Sequence, residues 1–339
     1  MPYHPNHIET RCLRRTGGSC TLCADACPGQ AIDLSKGLAA DPLKCILCGT
    51  CAGVCPVGAI THPVAEKAAA YVRNLPKNAD VTLECHATPF TSRDAVLLDG
   101  CLSAMGLEAL ALTAFAEVGT ITFVHGDCAR CGKGDHCRSF RAALAALREA
   151  MPEIGGKIKT AGRKSARAAD RNTMSRRGLF NLFSARRPSA DASSPSPAAS
   201  APAKRLPPTR KQLARDLRSV PEPERLLAHI PNAVVAIGET CTGCAACARA
   251  CPTGALNFRQ RGKLFSIRFN ARECVDCGLC EKVCLPGSLH RSPPSIDRFL
   301  ADEESEPASG RLMRCKRCEA PSAMLREGYC PVCAEILGI

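Results

Sequence analysis

The sequence predicts a multidomain α+β protein in which two small cysteine-dense modules flank a small α/β domain, with a disordered linker and a compact cysteine-paired element completing the plan. Three observations carry that prediction. Cysteines recur with two-residue gaps between positions 12 and 55 and again between 241 and 284. Apolar runs and helical periods alternate between positions 81 and 151. The 339 residues include 25 cysteines but no tryptophan, three tyrosines and ten phenylalanines, so large aromatic side chains cannot fill several cores. Metal–thiolate bonds supply folding free energy that a short module cannot obtain from apolar burial alone.

A disulfide scaffold is the competing use of so many cysteines and suits short secreted chains. Here the count is odd, the chain is long, and the close gaps suit shared metal centres. Met1 to His7 contain no basic-then-apolar segment, and no apolar run reaches about eighteen residues. A cytoplasmic protein without a transmembrane segment is therefore expected. The formal net charge of +13 is concentrated, because Lys157 to Arg187 hold ten basic residues against Asp170 alone. That excess belongs to a connector and says little about the cysteine modules.

Residues 1–62 form the first module, with Cys27-Pro28 and Cys55-Pro56 pairs. Residues 64–160 read as the α/β domain. Val81 to Cys85, Ala95 to Leu98 and Ile121 to Val124 suit buried strands. Leu107, Leu110, Ala114 and Val118 share one helical face, as do Phe140, Leu144, Leu147 and Met151. Alternation in this order predicts a small parallel layer. Residues 161–228 predict a linker without a core: Pro188 to Ala203 are nearly all Pro, Ser and Ala, and basic segments flank them. The cysteine-dense pattern returns over 231–293 as an internal repeat, and a last element spans 311–339.

In the second module, Cys241, Cys244, Cys247 and Cys251-Pro252 precede Cys274, Cys277, Cys280 and Cys284. The pattern C-x2-C-x2-C-x3-C gives three soft thiolates to one cubane cluster and the fourth to its partner cluster. Both modules resemble the bacterial two-cluster 2[4Fe–4S] ferredoxin family. The resemblance implies one cluster on Cys241, Cys244, Cys247 and Cys284, and another on Cys274, Cys277, Cys280 and Cys251. Leu285 separates Cys284 from Pro286, which displaces the expected turn proline by one residue.

The first module is less regular. Cys45, Cys48, Cys51 and Cys55-Pro56 are complete, but the earlier motif reads Cys20, Cys23 and Cys27-Pro28, with Gly17 at the leading position. The family pattern implies a cluster on Cys45, Cys48, Cys51 and Cys27, and leaves Cys20, Cys23 and Cys55 one ligand short. Cys12 can loop back to complete that set. The alternatives are a three-iron cluster, a non-cysteine ligand, and Cys12 as an ordinary core residue. Zinc knuckles fit both modules poorly, because structural zinc favours two separated pairs of ligands.

Cys85, Cys101, Cys128, Cys131 and Cys137 fall near the ends of expected strands, where an open α/β layer gathers distant residues at one edge. Val81 to Cys85, Gly100-Cys101 and His125 to Cys131 resemble the delta subunit of methyl-viologen-reducing hydrogenases. That resemblance implies a [2Fe–2S] cluster on Cys85, Cys101, Cys128 and Cys131. Structural zinc and core cysteines are the alternatives; His86, His125 and His136 read as loop or supporting residues. In the tail, Cys315-x2-Cys318 and Cys330-Pro331-Val332-Cys333 supply two close pairs. These suit a tetrahedral zinc site and resemble a zinc ribbon, with mononuclear iron as the alternative.

No Gly-rich dinucleotide fingerprint, P-loop or nucleophile–base pair occurs. The expected function is that of a polyferredoxin, passing single electrons through four [4Fe–4S] clusters to or from a hydrogenase-, heterodisulfide-reductase- or dehydrogenase-type partner. A rival enzyme reading uses Cys128 and Cys131 as a redox dithiol. A nucleic-acid adaptor is disfavoured by the few aromatics in the basic linker. Arg176-Arg177-Gly178-Leu179-Phe180 lies mid-chain without a following apolar region, which argues against an export signal.

Overall fold

The computed structural model describes residues 5–35, 37–88, 94–128, 137–162 and 208–339. Cys131, His136, the twin-arginine segment and most of the expected linker lie outside them.

The first module contains two antiparallel strand pairs, Asn6–His7 with Ile60–Thr61 and Ile32–Asp33 with Ala39–Ala40. Helices Leu22–Asp25 and Thr50–Gly53 follow the cysteine loops. The second module repeats this order. Val234–Ile237 pairs with Leu289–Ser292, Leu256–Arg261 pairs with Leu264–Phe269, and Ala246–Ala250 and Leu279–Lys282 are helical. Two-residue strands and one-turn helices are not stable alone.

Between the modules, Val81–Glu84, Val96–Leu97, Ile121–His125 and Ile158–Gly162 form one parallel sheet in the spatial order 96–97, 81–84, 121–125, 158–162. Val81, Ile121, Thr122 and Val124 supply the β-branched side chains such strands favour. Helices Pro63–Arg73, Leu107–Ala114 and Arg138–Ala150 bury Val64, Ala68, Val72, Leu110, Ala114, Phe140, Leu144 and Leu147 in the same core. Phe123 meets Phe140 edge-on at 5.2 Å between ring centroids. Pro63 opens its helix, and the His62 imidazole caps it by accepting the Val64 N–H at 3.4 Å.

The expected linker over 161–228 is corrected at both ends. Strand Ile158–Gly162 runs into it, and Pro208–Leu217 and Pro223–Leu227 are helices. Leu213, Ala214, Leu217, Leu226, Leu227 and Ile230 are buried in the α/β core, where each large aliphatic side chain contributes about 1.5–3 kcal/mol. Composition averaged over the stretch hid this, because Leu213 and Leu217 form only a narrow stripe among polar neighbours. Pro208 and Pro223 start helices rather than break them. Helix Ile296–Leu300 adds Phe299 to the same core, so segments on both sides of the second module are tied to the α/β domain.

Strand Ser305–Arg311 joins the hairpin of the second module as a third strand. Met313–Arg314 then pairs with Pro321–Ser322, and Pro331–Leu337 is helical. Among the described residues, no helix is long and apolar enough to cross a membrane.

Candidate metal centres

Three of the four cysteine loops share one backbone design. Between Cys45 and Cys51, Leu47 (φ 59°) and Gly49 (φ 72°) are left-handed. Gly243 (φ 69°) and Ala245 (φ 61°) occupy the same places between Cys241 and Cys247, and Asp276 (φ 50°) and Gly278 (φ 70°) do so between Cys274 and Cys280. These reversals wrap each loop so that its three cysteines line one cavity. A non-glycine residue in this conformation costs about 1–2 kcal/mol, so Leu47, Ala245 and Asp276 are held against their own preference. The Cys20–Cys23 loop differs. Gly17, standing where a leading cysteine is expected, is left-handed at φ 89°, and Cys12 sits between the 3-10 turns Glu9–Arg11 and Leu13–Thr16.

Four cysteine quartets result. Cys12, Cys20, Cys23 and Cys55 line one small cavity, and Cys27, Cys45, Cys48 and Cys51 line another. In the second module, Cys251, Cys274, Cys277 and Cys280 line a third, and Cys241, Cys244, Cys247 and Cys284 a fourth. Each quartet takes three cysteines from one part of its module and the fourth from the other.

The chemistry of these linings fits a soft metal cluster. Burial pushes the Cys51 and Cys280 thiols up to about 12, and those of Cys23 and Cys247 up to about 11; the neighbouring cysteines of each quartet add to the rise. Four thiolates cannot share a mostly apolar pocket without a cation. A cluster that binds there displaces the protons. The backbone N–H groups of Ala31 and Ala59 donate to Cys27 and Cys55 Sγ at 3.2 Å, bonds that favour charged sulfur.

Neighbouring quartets adjoin one another. Burial raises the Cys48 thiol, and Cys101 of the α/β domain and Cys27 raise it further. Cys23 of the adjacent quartet likewise adds to the rise at Cys51. Val275 is buried with Leu13, Val57 and Ala59, and Cys277 packs on the same group as Cys12, Cys20 and Cys55. The α/β-domain cysteines thus adjoin the Cys27 quartet, which adjoins the Cys12 quartet, which adjoins the Cys251 quartet; the Cys241 quartet shares the core of the second module with the last.

In the α/β domain, Cys85 follows strand Val81–Glu84, contacts Thr88 Oγ1 at 3.3 Å and accepts the Gly126 N–H at 3.4 Å. Cys101 Sγ lies 3.3 Å from Ser103 Oγ. Cys128 Sγ lies 3.6 Å from Cys137 Sγ and 3.8 Å from His125 Nδ1. The Cys137 thiol is pushed up by its hydrogen bond to Cys101, then by burial and by the charges of Cys101 and Cys128. The structure thus brings Cys101, Cys128 and Cys137 together, with Cys85 on the neighbouring loop. Cys137 was grouped with the other α/β-domain cysteines from the sequence but was left out of the implied ligand set. It immediately precedes helix Arg138–Ala150.

In the tail, the sulfur atoms of Cys315, Cys318, Cys330 and Cys333 all lie within 4.8 Å of one another. Backbone N–H groups of Cys318 and Cys330 lower the Cys315 thiol to about 6, whereas burial and hydrogen bonds from the other thiols push Cys333 up to about 12. Four sulfurs at this spacing suit a tetrahedral ion.

Residues 240–288 match the model of the 4Fe–4S dicluster domain, and residues 39–61 match that of the 4Fe–4S binding domain. The second match leaves out Cys12 to Cys27, where the motif departs from the regular spacing. Comparison with curated proteins gave no match. Two ferredoxin-type 4Fe–4S units therefore lie in the chain. They bind iron–sulfur clusters and give it an electron-transfer role.

Proposed function

We propose that this chain, with a ferredoxin-type 4Fe–4S unit on each side of an α/β domain, is a polyferredoxin that relays single electrons through four [4Fe–4S] clusters to or from a partner oxidoreductase. The four adjoining cysteine quartets are the observation that carries this reading. One cluster is held by Cys12, Cys20, Cys23 and Cys55, and the next by Cys27, Cys45, Cys48 and Cys51. In the second module the ligands are Cys251, Cys274, Cys277 and Cys280 for one cluster, and Cys241, Cys244, Cys247 and Cys284 for the other. Bound there, the clusters supply one-electron chemistry, and the protein tunes it by hydrogen bonding and burial. Hydrogenase-, heterodisulfide-reductase- or dehydrogenase-type proteins are the proposed partners, in a reducing cytoplasm.

The α/β-domain cysteines extend the series. A [2Fe–2S] cluster on Cys85, Cys101, Cys128 and Cys131 is the proposal for that site, and zinc on Cys315, Cys318, Cys330 and Cys333 is the proposal for the tail. The rival is a thiol/disulfide function; the sequence suggested Cys128 and Cys131 as its dithiol, and the 3.6 Å between the Cys128 and Cys137 sulfurs favours Cys137 as the partner instead. There two thiols form one S–S bond, releasing two protons and passing two electrons singly to the adjacent clusters. Cys128→Ser separates the two: a lost [2Fe–2S] spectrum supports the carrier, and intact spectra with lost disulfide turnover support the rival.

Stepwise anaerobic reduction followed by electron paramagnetic resonance tests the relay. About four one-electron cubane reductions per chain are expected. A total of one or two contradicts it.

A further inference from the structure

Arg210 is the largest side chain that the described residues bury completely. Arginine keeps its charge and is rarely buried unless its donors are matched. Nε and Nη2 meet Glu108 Oε1 at 2.9 and 2.8 Å, and Nη2 also donates to the Pro231 carbonyl at 3.0 Å. Nη1 donates to the Cys274 carbonyl at 2.7 Å. Asn232 Nδ2 donates to that same carbonyl at 3.2 Å. One guanidinium thus joins helix Leu107–Ala114 of the α/β domain, helix Pro208–Leu217 and a cysteine loop of the second module.

The order of charges matters. Glu108 holds the Nε–Nη2 edge, while Nη1 reaches away from it to Cys274, so the cation stands between the carboxylate and the cysteine loop. Arg210 stands behind the cavity of Cys251, Cys274, Cys277 and Cys280 and reaches it through the Cys274 carbonyl, whereas Arg291 lines that cavity but is paired with Asp276 and Glu281; no Arg or Lys lines the other three cavities. Arg249 donates to the Cys244 carbonyl at 2.7 Å, but on the exposed surface, where water and salt screen its charge.

We propose that Arg210 is a positioning residue that anchors the Cys274 loop and raises the reduction potential of the cluster on Cys251, Cys274, Cys277 and Cys280. The inference rests on the ligation proposed above. Reduction adds negative charge, which a buried cation stabilises more strongly than a solvated one. Glu108 opposes the effect from the far side of the fork.

Redox titration of the full-length, anaerobically purified protein, followed by electron paramagnetic resonance, tests this. Cys274→Ser first identifies which cubane signal belongs to the site. Arg210→Gln moves that signal to lower potential, Glu108→Gln moves it to higher potential, and Arg210→Lys, which keeps the charge, restores much of the loss. Arg249→Gln leaves all signals in place. A packing fault alone would not give opposite signs in the two variants. If Arg210→Gln does not fold, Glu108→Gln and Arg210→Lys still decide. An unmoved signal in Glu108→Gln, or shifts of one sign throughout, overturns the role of Arg210. Fewer than four cubane signals in the unaltered protein counts instead against the four-cluster relay; the Arg210 role falls with it only if Cys274→Ser removes no signal.

Discussion

A Cβ added to Gly106 would stand 2.1 Å from the carbonyl oxygen of Gly53, so the α/β domain and the first module meet backbone to backbone. Gly53 ends the helix Thr50–Gly53, and Gly106 precedes the helix Leu107–Ala114. The φ of Gly106, −77°, is open to any residue; space alone requires glycine there. The contact lies beside Cys48 and Cys101, where the first module approaches the cysteines of the α/β domain.

Gly106→Ala is therefore expected to destabilise the protein by about 1–3 kcal/mol. Gly156→Ala, whose added Cβ meets nothing within 4 Å, changes stability by less than about 1 kcal/mol. Denaturant unfolding of both variants checks this. Equal costs would mean that the two domains do not bear on each other at Gly53.

Leu213→Ala is expected to cost about 2–5 kcal/mol, because it opens a cavity in the α/β core. Lys211→Ala, on the exposed side of the same helix, changes stability by less than about 0.5 kcal/mol. A neutral Leu213→Ala would return this stretch to the status of a linker.

These two cases mark where sequence reading reaches its limit. The Cys241–Cys247 and Cys274–Cys280 loops were legible because the spacing of their cysteines is fixed by local backbone turns. Cys12 was legible only as a way to fill the place of Gly17. Cys137 was legible as one of the cysteines gathered at the sheet edge but not as the close neighbour of Cys101 and Cys128, since that approach depends on how three distant segments meet there. The helices after position 208 were missed because their apolar stripe is narrow and the surface that covers it lies elsewhere in the chain. Arg210 read as one more basic residue of a basic stretch. Nothing local to it reveals that Glu108 and the Cys274 carbonyl enclose it.

Cys12→Ser tests the irregular quartet. A loss of about four irons per chain, or of about one if a three-iron cluster forms in its place, is expected. Unchanged iron content and spectra would make Cys12 a core residue.

The tail site has a pH signature. Cys315, lowered to about 6, is already a thiolate at pH 8, whereas Cys333, raised to about 12, carries a proton that metal binding must displace. Zinc returned to chelator-treated protein at pH 8 should therefore release fewer than four protons per ion, measured by calorimetry in buffers of different ionisation enthalpy. By the same sign, proton competition at Cys315 begins only as the pH falls through about 6. Release of four protons would contradict this charge pattern.

Iron, sulfide and zinc counting on anaerobically purified, full-length protein tests the four-cluster relay most directly. About sixteen cubane irons with matching sulfide are expected, with up to about two more irons from the α/β domain and about one zinc. Fewer than about twelve irons in fully loaded protein would contradict it.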